Sequence, residues 1–296
     1  MKRLSILLAL LAASWSVTAQ SVSPELLFPT IDPHSLAMGG MQLTTTGGSH
    51  AIYTNLSASL FAQQPIKFST SYYGQSDFDY YALSGSWRVN RNNVLAAGWR
   101  QYLRGSGNND SALDLGYAHR FGEHFSIGVV GRYARLERWD EDVEAIACDL
   151  SVMWSKPISG WSRYSNLRLG AKVTNLGAYL HDTDYVLPIQ AALGASIDTF
   201  FSDSHQLTVG SELGYCFTPS QVRGFEASVG AEYNLMQLIQ VRAGYHYGEV
   251  KEYCPSYASV GAGVRLLHIR VDFAYLFAEK DSWLDNTYSI SFGLDF

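Results

Sequence analysis

The sequence predicts an all-β transmembrane outer-membrane barrel of about fourteen antiparallel strands with an N-terminal plug-like segment. Three observations predict it. Apolar and polar residues alternate with period two from residue 66 to the end. Only 16% of the residues are charged, while aromatics reach 14%. The connections between strand-like segments alternate between short and long.

The last strand states the alternation most plainly. Ile290, Phe292, Leu294 and Phe296 alternate with Ser289, Ser291, Gly293 and Asp295. Ile269 to Phe277, Phe225 to Tyr233, Leu167 to Val173 and Ile239 to Tyr247 repeat the pattern. Successive side chains of a strand point to opposite faces, so each segment has one apolar face. In a soluble sandwich that face is the core; in a membrane barrel it meets lipid. The other face decides between them. It carries Gly, Ser and isolated charges of both signs, with only six Lys in the chain, which suits a crowded barrel interior.

Strand-like segments lie near 66–73, 79–89, 93–103, 110–120, 124–136, 142–155, 166–176, 188–199, 205–217, 224–234, 238–247, 256–266, 268–277 and 286–296. A tilted strand of about ten residues crosses a bilayer. Even-numbered connections such as Asn90–Asn92, Phe121–Glu123 and Leu235–Gln237 are tight, whereas most odd-numbered ones are longer. Short inner turns and long outer loops are an outer-membrane pattern. Lys156–Ser165 is a long even connection and departs from it.

Residues 1–19 read as a cleaved signal peptide. Lys2 and Arg3 precede the apolar run Leu4–Ala13, and Val17-Thr18-Ala19 supplies a small residue before Gln20. Residues 20–65 hold Pro24, Pro29, Pro33 and two Gly-Gly pairs, with no strand-length alternation. They read as a plug or hatch, because a fourteen-strand barrel is too wide to fill with its wall side chains. Residues 66–296 form the barrel.

A net charge of −6 gives no nucleic-acid footprint. Cys148, Cys216 and Cys254 are an odd set with no CxxC and no metal-ligand spacing. Cys216 and Cys254 fall near the same end of their strands, which leaves a pairing open. His residues are scattered without the Ser or Asp spacing of a catalytic triad, and no Gly-rich phosphate loop enters a helix. No enzyme, cofactor or metal is expected. The interior charges Arg168, Lys172, Glu212, Glu226, Glu232, Arg242, Arg270 and Asp272 are expected to brace wall and plug as pairs.

The segment Asp32-Pro33-His34-Ser35-Leu36-Ala37-Met38-Gly39-Gly40, followed by Ala51-Ile52-Tyr53-Thr54-Asn55, resembles the amino-terminal signature of the PorV/PorQ family. His34 stands where that family commonly has Arg, and Leu56-Ser57 replaces its Pro-Ala. Leu167–Gly177 with its Asn175-Leu176-Gly177 ending, then Leu187-Pro188, Gly230–Tyr233, Val241–Tyr245 and Val271–Tyr275, resemble later family strands in the same order. The resemblance implies a FadL-type barrel serving a type IX secretion system of Bacteroidota. Its implied partners are secreted cargo and other outer-membrane or secretion-system proteins, with lipid and lipopolysaccharide around the wall. The alternative is a FadL-like channel for small hydrophobic compounds.

Two sets of candidate site residues follow. Asp32, Ser35, Met38, Gly39, Gly40 and Asn55 form the plug motif, with a chiefly structural role expected because paired glycines open backbone angles closed to other residues. Trp139, Asp140, Tyr179, His181, Tyr185 and Trp283 are candidate partner contacts on outer loops, which carry specificity on a rigid scaffold.

Overall fold

The computed structural model describes residues 30–48, 50–75, 78–104, 109–137, 142–159, 164–180, 186–280 and 282–296. Fourteen strands close into one antiparallel barrel. They are β1 (Ile66–Gly74), β2 (Phe78–Asn90), β3 (Asn93–Arg104), β4 (Asn109–Phe121), β5 (Phe125–Glu137), β6 (Asp142–Ile158) and β7 (Tyr164–Tyr179). Then follow β8 (Gln190–Ser202), β9 (His205–Cys216), β10 (Gly224–Leu235), β11 (Ile239–Gly248), β12 (Tyr257–Leu266), β13 (Ile269–Ala278) and β14 (Tyr288–Asp295). Each strand pairs with its sequence neighbours, and β14 pairs with β1, from Lys67–Asp295 to Gly74–Tyr288.

Period-two alternation becomes an inside and an outside. Val229 is 52% exposed and its neighbour Ser228 is 7% exposed. Along β14, Ser289 and Ser291 are buried while Ile290 and Phe292 are exposed. Phe68, Leu83, Leu115, Leu193, Val241 and Phe277 join the same outward apolar belt. So much exposed apolar area on every side is the surface of a protein whose solvent is lipid. An Arg at Val229 is accordingly expected to cost about 2–4 kcal/mol if that position lies near the bilayer midplane, against far less at Ser228. Urea unfolding of the two variants from lipid vesicles measures the difference; equal tolerance would mean that this belt does not meet lipid.

Connections 91–92, 122–124, 203–204, 236–238 and 267–268 are tight, and both ends of the barrel chain lie on their side. The departure from the short–long rule shrinks. β6 and β7 run on to pair Ile158 with Ser165, so the connection is only 159–163. β7 also extends further at the other end, where Ala145 pairs with Tyr179. The sequence pattern hides this because the register shifts between Cys148 and Leu150, opposite Asn175 at φ 58°. That bulge breaks the phase of the alternation within an unbroken strand.

Residues 30–48 and 50–62 pack against the lumen side of the strands. A short helix α1 (Pro33–Ala37) packs against β11 to β14, and a 3-10 helix at Leu56–Phe61 packs against β3 to β6. The segment therefore reaches from one wall to the other. Its Ile31, Leu36, Ile52, Leu56 and Leu60 join Tyr73, Tyr80 and Tyr102 of the wall in a buried cluster. The molecule thus has two apolar regions, an outer belt and a central core, separated by the thickness of one sheet.

Candidate functional site

The plug motif residues are each tied down locally. Asp32 caps α1: its Oδ2 accepts from the Ser35 backbone N–H (3.2 Å) and the Ser35 hydroxyl (2.7 Å). Such a cap satisfies N–H groups that no helical carbonyl can reach. Met38 is fully buried. Gly39 and Gly40 have φ +72° and +80°, and a Cβ on Gly39 would lie 2.6 Å from the Tyr245 carbonyl oxygen. The turn and the close approach to β11 both demand glycine there. Asn55 caps the 3-10 helix through Ser57, and its Nδ2 donates to the carbonyls of Leu43 (2.7 Å) and, on β6, Val152 (3.3 Å).

The wall fastens the plug by matching its backbone polarity. Glu212 accepts from the N–H groups of Gln42 (2.9 Å) and Leu43 (3.0 Å). Lys67 donates to the Thr46 carbonyl, Arg265 and Arg270 to that of Gly47, and Lys172 to that of Tyr53. The Tyr53 hydroxyl donates to the carbonyls of Leu83 and Trp99. His50 lies between the hydroxyls of Ser84 and Ser71, each at 2.6 Å, and burial pulls its pKa down to about 3, so it is a neutral ring near pH 7. A plug without strand or long helix leaves many backbone groups unpaired, and the lumen wall supplies their partners.

Most of the remaining interior charges pair. Asp114 binds Arg100 (3.3 Å) and Arg132 (2.7 Å), and Asp149 binds Arg132 (3.0 Å) and Lys172 (3.5 Å). Arg168 pairs with Asp198. Across the barrel Arg242 binds Glu232 (2.5 Å) and Asp272 (2.7 Å), and Arg270 binds Asp295 (3.1 Å). The Arg242–Asp272 contact spans β12, which offers Gly263 at that level. Asn175, at the β7 bulge, donates its backbone N–H to Asp149 and its amide to the Pro188 carbonyl, and accepts from Arg132.

A cavity of about 110 Å³ remains between the plug and residues 253–255 and 283–284 of two outer connections. Leu36, Leu43 and Tyr73 line it with Leu276, Trp283 and Leu284. On its polar side stand Lys172, Gln190, Glu212, Glu226, His246 and Cys254. His246 Nε2 is 3.1 Å from Cys254 Sγ, and the three cysteines are free thiols, so Cys216 and Cys254 are not paired.

The candidate partner contacts fare differently. Tyr179 belongs to strand β7 rather than to a loop, and its ring packs against the buried cluster. Trp283 is turned inward, 6.4 Å from the Phe78 ring, and lines the cavity. Both are large rings beside a lumen that has apolar space to fill, and burial there removes them from the outer surface. Trp139, Asp140, His181 and Tyr185 lie outside the described residues, as does the expected signal peptide at residues 1–19. The cavity residues Gln190, His246 and Cys254 were missed by motif spacing. A usable signal existed in the register: the turn joining Leu235 to Ile239 sets Ser228 opposite His246.

No family model and no curated protein sequence matches this chain. Solved structures do. The chain is similar to the CymD monoaromatic hydrocarbon channel, with a TM-score of 0.59 and 14% identity over 90% of this chain and 97% of that one. A Pseudomonas aeruginosa FadL homologue gives 0.59 and 11%, over 90% and 99%. The fold is that of the FadL-like outer-membrane barrels. The P. putida toluene transporter TodX gives 0.56 and 12%, over 92% and 99%. At such identities the likeness is one of fold. CymD is a monoaromatic hydrocarbon channel and TodX a toluene transporter.

Proposed function

We propose that this FadL-like barrel is a channel for small, mainly apolar compounds. The observation that carries the reading is the cavity above the plug, walled by Leu36, Leu43, Tyr73, Leu276, Trp283 and Leu284. Its roughly 110 Å³ is of the order of the ~150 Å³ apolar cavity that accepts benzene. Much of the lining is polar, with Lys172, Gln190, Glu212, Glu226 and His246 in it, so the compound it suits carries a polar substituent that such groups orient. The fold likeness to the CymD and TodX channels supports the same class of cargo.

The second reading is a docking barrel of a type IX secretion system. It rests on the ordered PorV/PorQ-like motifs and on the length of the outer connections 180–189 and 279–287. The fold neighbours and the inward-facing Tyr179 and Trp283 favour the channel over it.

Leu284→Arg separates the two. Leu284 is buried at the cavity, and a charge there costs enough to lower occupancy about tenfold or more. Uptake of a monoaromatic compound by cells carrying the assembled variant is expected to fall by that factor, with secreted and surface-attached proteins unchanged. Unchanged uptake with lost surface attachment would replace the channel with the docking role.

A further inference from the structure

We propose that Glu226, His246 and Cys254 form a binding site for a zinc-class divalent metal ion, with its fourth coordination position open to the cavity. The inference stands apart from the channel reading, because it concerns three side chains and an ion, whatever crosses the lumen.

The geometry is the first argument. One carboxylate oxygen, one ring nitrogen and the thiol sulfur lie within 4.8 Å of one another. A tetrahedral ion with bonds of about 2.0–2.3 Å spaces its ligand atoms roughly 3.3–3.7 Å apart. The His246–Cys254 distance, 3.1 Å, is already close to that range. Small side-chain rotations of Glu226 and Cys254 close the remainder.

The supporting atoms are the second argument. The Ser228 hydroxyl is 3.0 Å from His246 Nδ1, which leaves Nε2 aimed at Cys254. The imidazole stacks on Tyr257, with ring centres 4.9 Å apart and planes at 19°. Gln190 Nε2 donates to Glu226 Oε2 at 2.6 Å. Metal-bound histidines and carboxylates are oriented by outer partners of this kind. Cys254 is also placed by backbone: its N–H donates to the Val250 carbonyl at 2.8 Å, and its own carbonyl lies against Gly248, where a side chain would collide.

Charge is the third. Glu226 lies in the wall yet, among the described residues, pairs with no Lys or Arg. A divalent ion meeting the Glu226 carboxylate and the Cys254 thiolate is neutralised by them. Binding transfers the thiol proton to solvent. Sulfur and imidazole ligands select zinc-like ions over magnesium or calcium. Three protein ligands with an open position are the arrangement in which zinc also holds water or a ligand. The ion would then present a Lewis-acid contact to any donor atom entering the cavity.

Cobalt is the probe. The full barrel, purified in detergent and stripped with EDTA, is titrated with Co²⁺. One ion per barrel is expected, with thiolate-to-cobalt charge-transfer absorption in the near ultraviolet that zinc displaces. Cys254→Ser should abolish that band, while Cys148→Ser and Cys216→Ser retain it. Ser228→Ala should weaken cobalt binding by about tenfold or more. Heat-modifiable migration identifies the variants that have assembled. Should Cys254→Ser not assemble, maleimide labelling of Cys254 in the natural sequence reads the same contact, with zinc slowing it and leaving Cys148 unchanged. Absence of the band and of zinc protection, or a band that survives Cys254→Ser, overturns the site.

Discussion

A chain ending at Ser291 is expected to yield no closed barrel. Residues 292–295 supply half of the register pairs between β14 and β1: Thr70–Phe292, Ser69–Gly293, Phe68–Leu294 and Lys67–Asp295. Phe296 and Ile66 add a reciprocal pair of backbone hydrogen bonds, at 3.1 and 2.9 Å. Without them the inner ends of β1 and β13 become open edges. In water an edge is tolerable; in lipid every unpaired N–H and C=O costs several kcal/mol. The outer belt also loses Phe292, 45% exposed on the lipid face. Heat-modifiable migration of the membrane fraction is the measurement, and a normal quantity of folded barrel from the truncated chain would refute the argument. Full-length chains carrying Phe296→Ala alone should assemble, since that change leaves the backbone pairing intact.

Arg242→Met is expected to destabilise the folded barrel by about 3–5 kcal/mol. The Arg242 side chain is fully buried between Glu232 at 2.5 Å and Asp272 at 2.7 Å, and Asp272 is fully buried as well. Methionine fills much the same volume but leaves two carboxylates short of a cation. Asp272 keeps the longer contact to Arg270, at 3.8 Å, and Glu232 keeps His34, at 3.5 Å. Burial holds the His34 pKa well below its ordinary value, so that ring is a poor substitute for a fixed charge. The control is Arg135→Met, which removes an ion pair with Asp142 in which both side chains are about half exposed. Surface pairs of that sort contribute about 0–1 kcal/mol. Urea unfolding of both variants from vesicles should separate them clearly; equal losses would mean that the interior charges are solvated.

The strands were legible because lipid imposes a single demand on every second side chain. Ile290, Phe292 and Val229 could be assigned to the outer face without knowing their neighbours. What was not legible depends on contacts between distant segments. The Asn175 bulge shifts the phase of β7, so Tyr179 looked like a loop residue although it is paired with Ala145. Trp283 reads as an outer-loop partner contact because nothing local says that Phe78 lies opposite it. In the plug motif, Asp32 and Asn55 announce caps by residue type. The partner of Gly39, the Ser259 hydroxyl at 3.0 Å, sits 220 residues away and left no local trace. Glu226, His246 and Cys254 come from two strands and a connection, so only the barrel register brings them together.

Arg270 has a consequence for how the molecule holds together. From β13 its guanidinium reaches Ser69 of β1 (2.9 Å), Asp295 of β14 (3.1 Å) and the Gly47 carbonyl of the plug (3.2 Å). The two strands of the closing seam and the segment they enclose therefore share one side chain. Lys67, beside that seam, holds the adjacent Thr46 carbonyl. The seam and the segment it encloses thus share a fastening, and loosening Arg270 loosens both at once. A barrel without the segment would lack the Gly47 contact at its own seam.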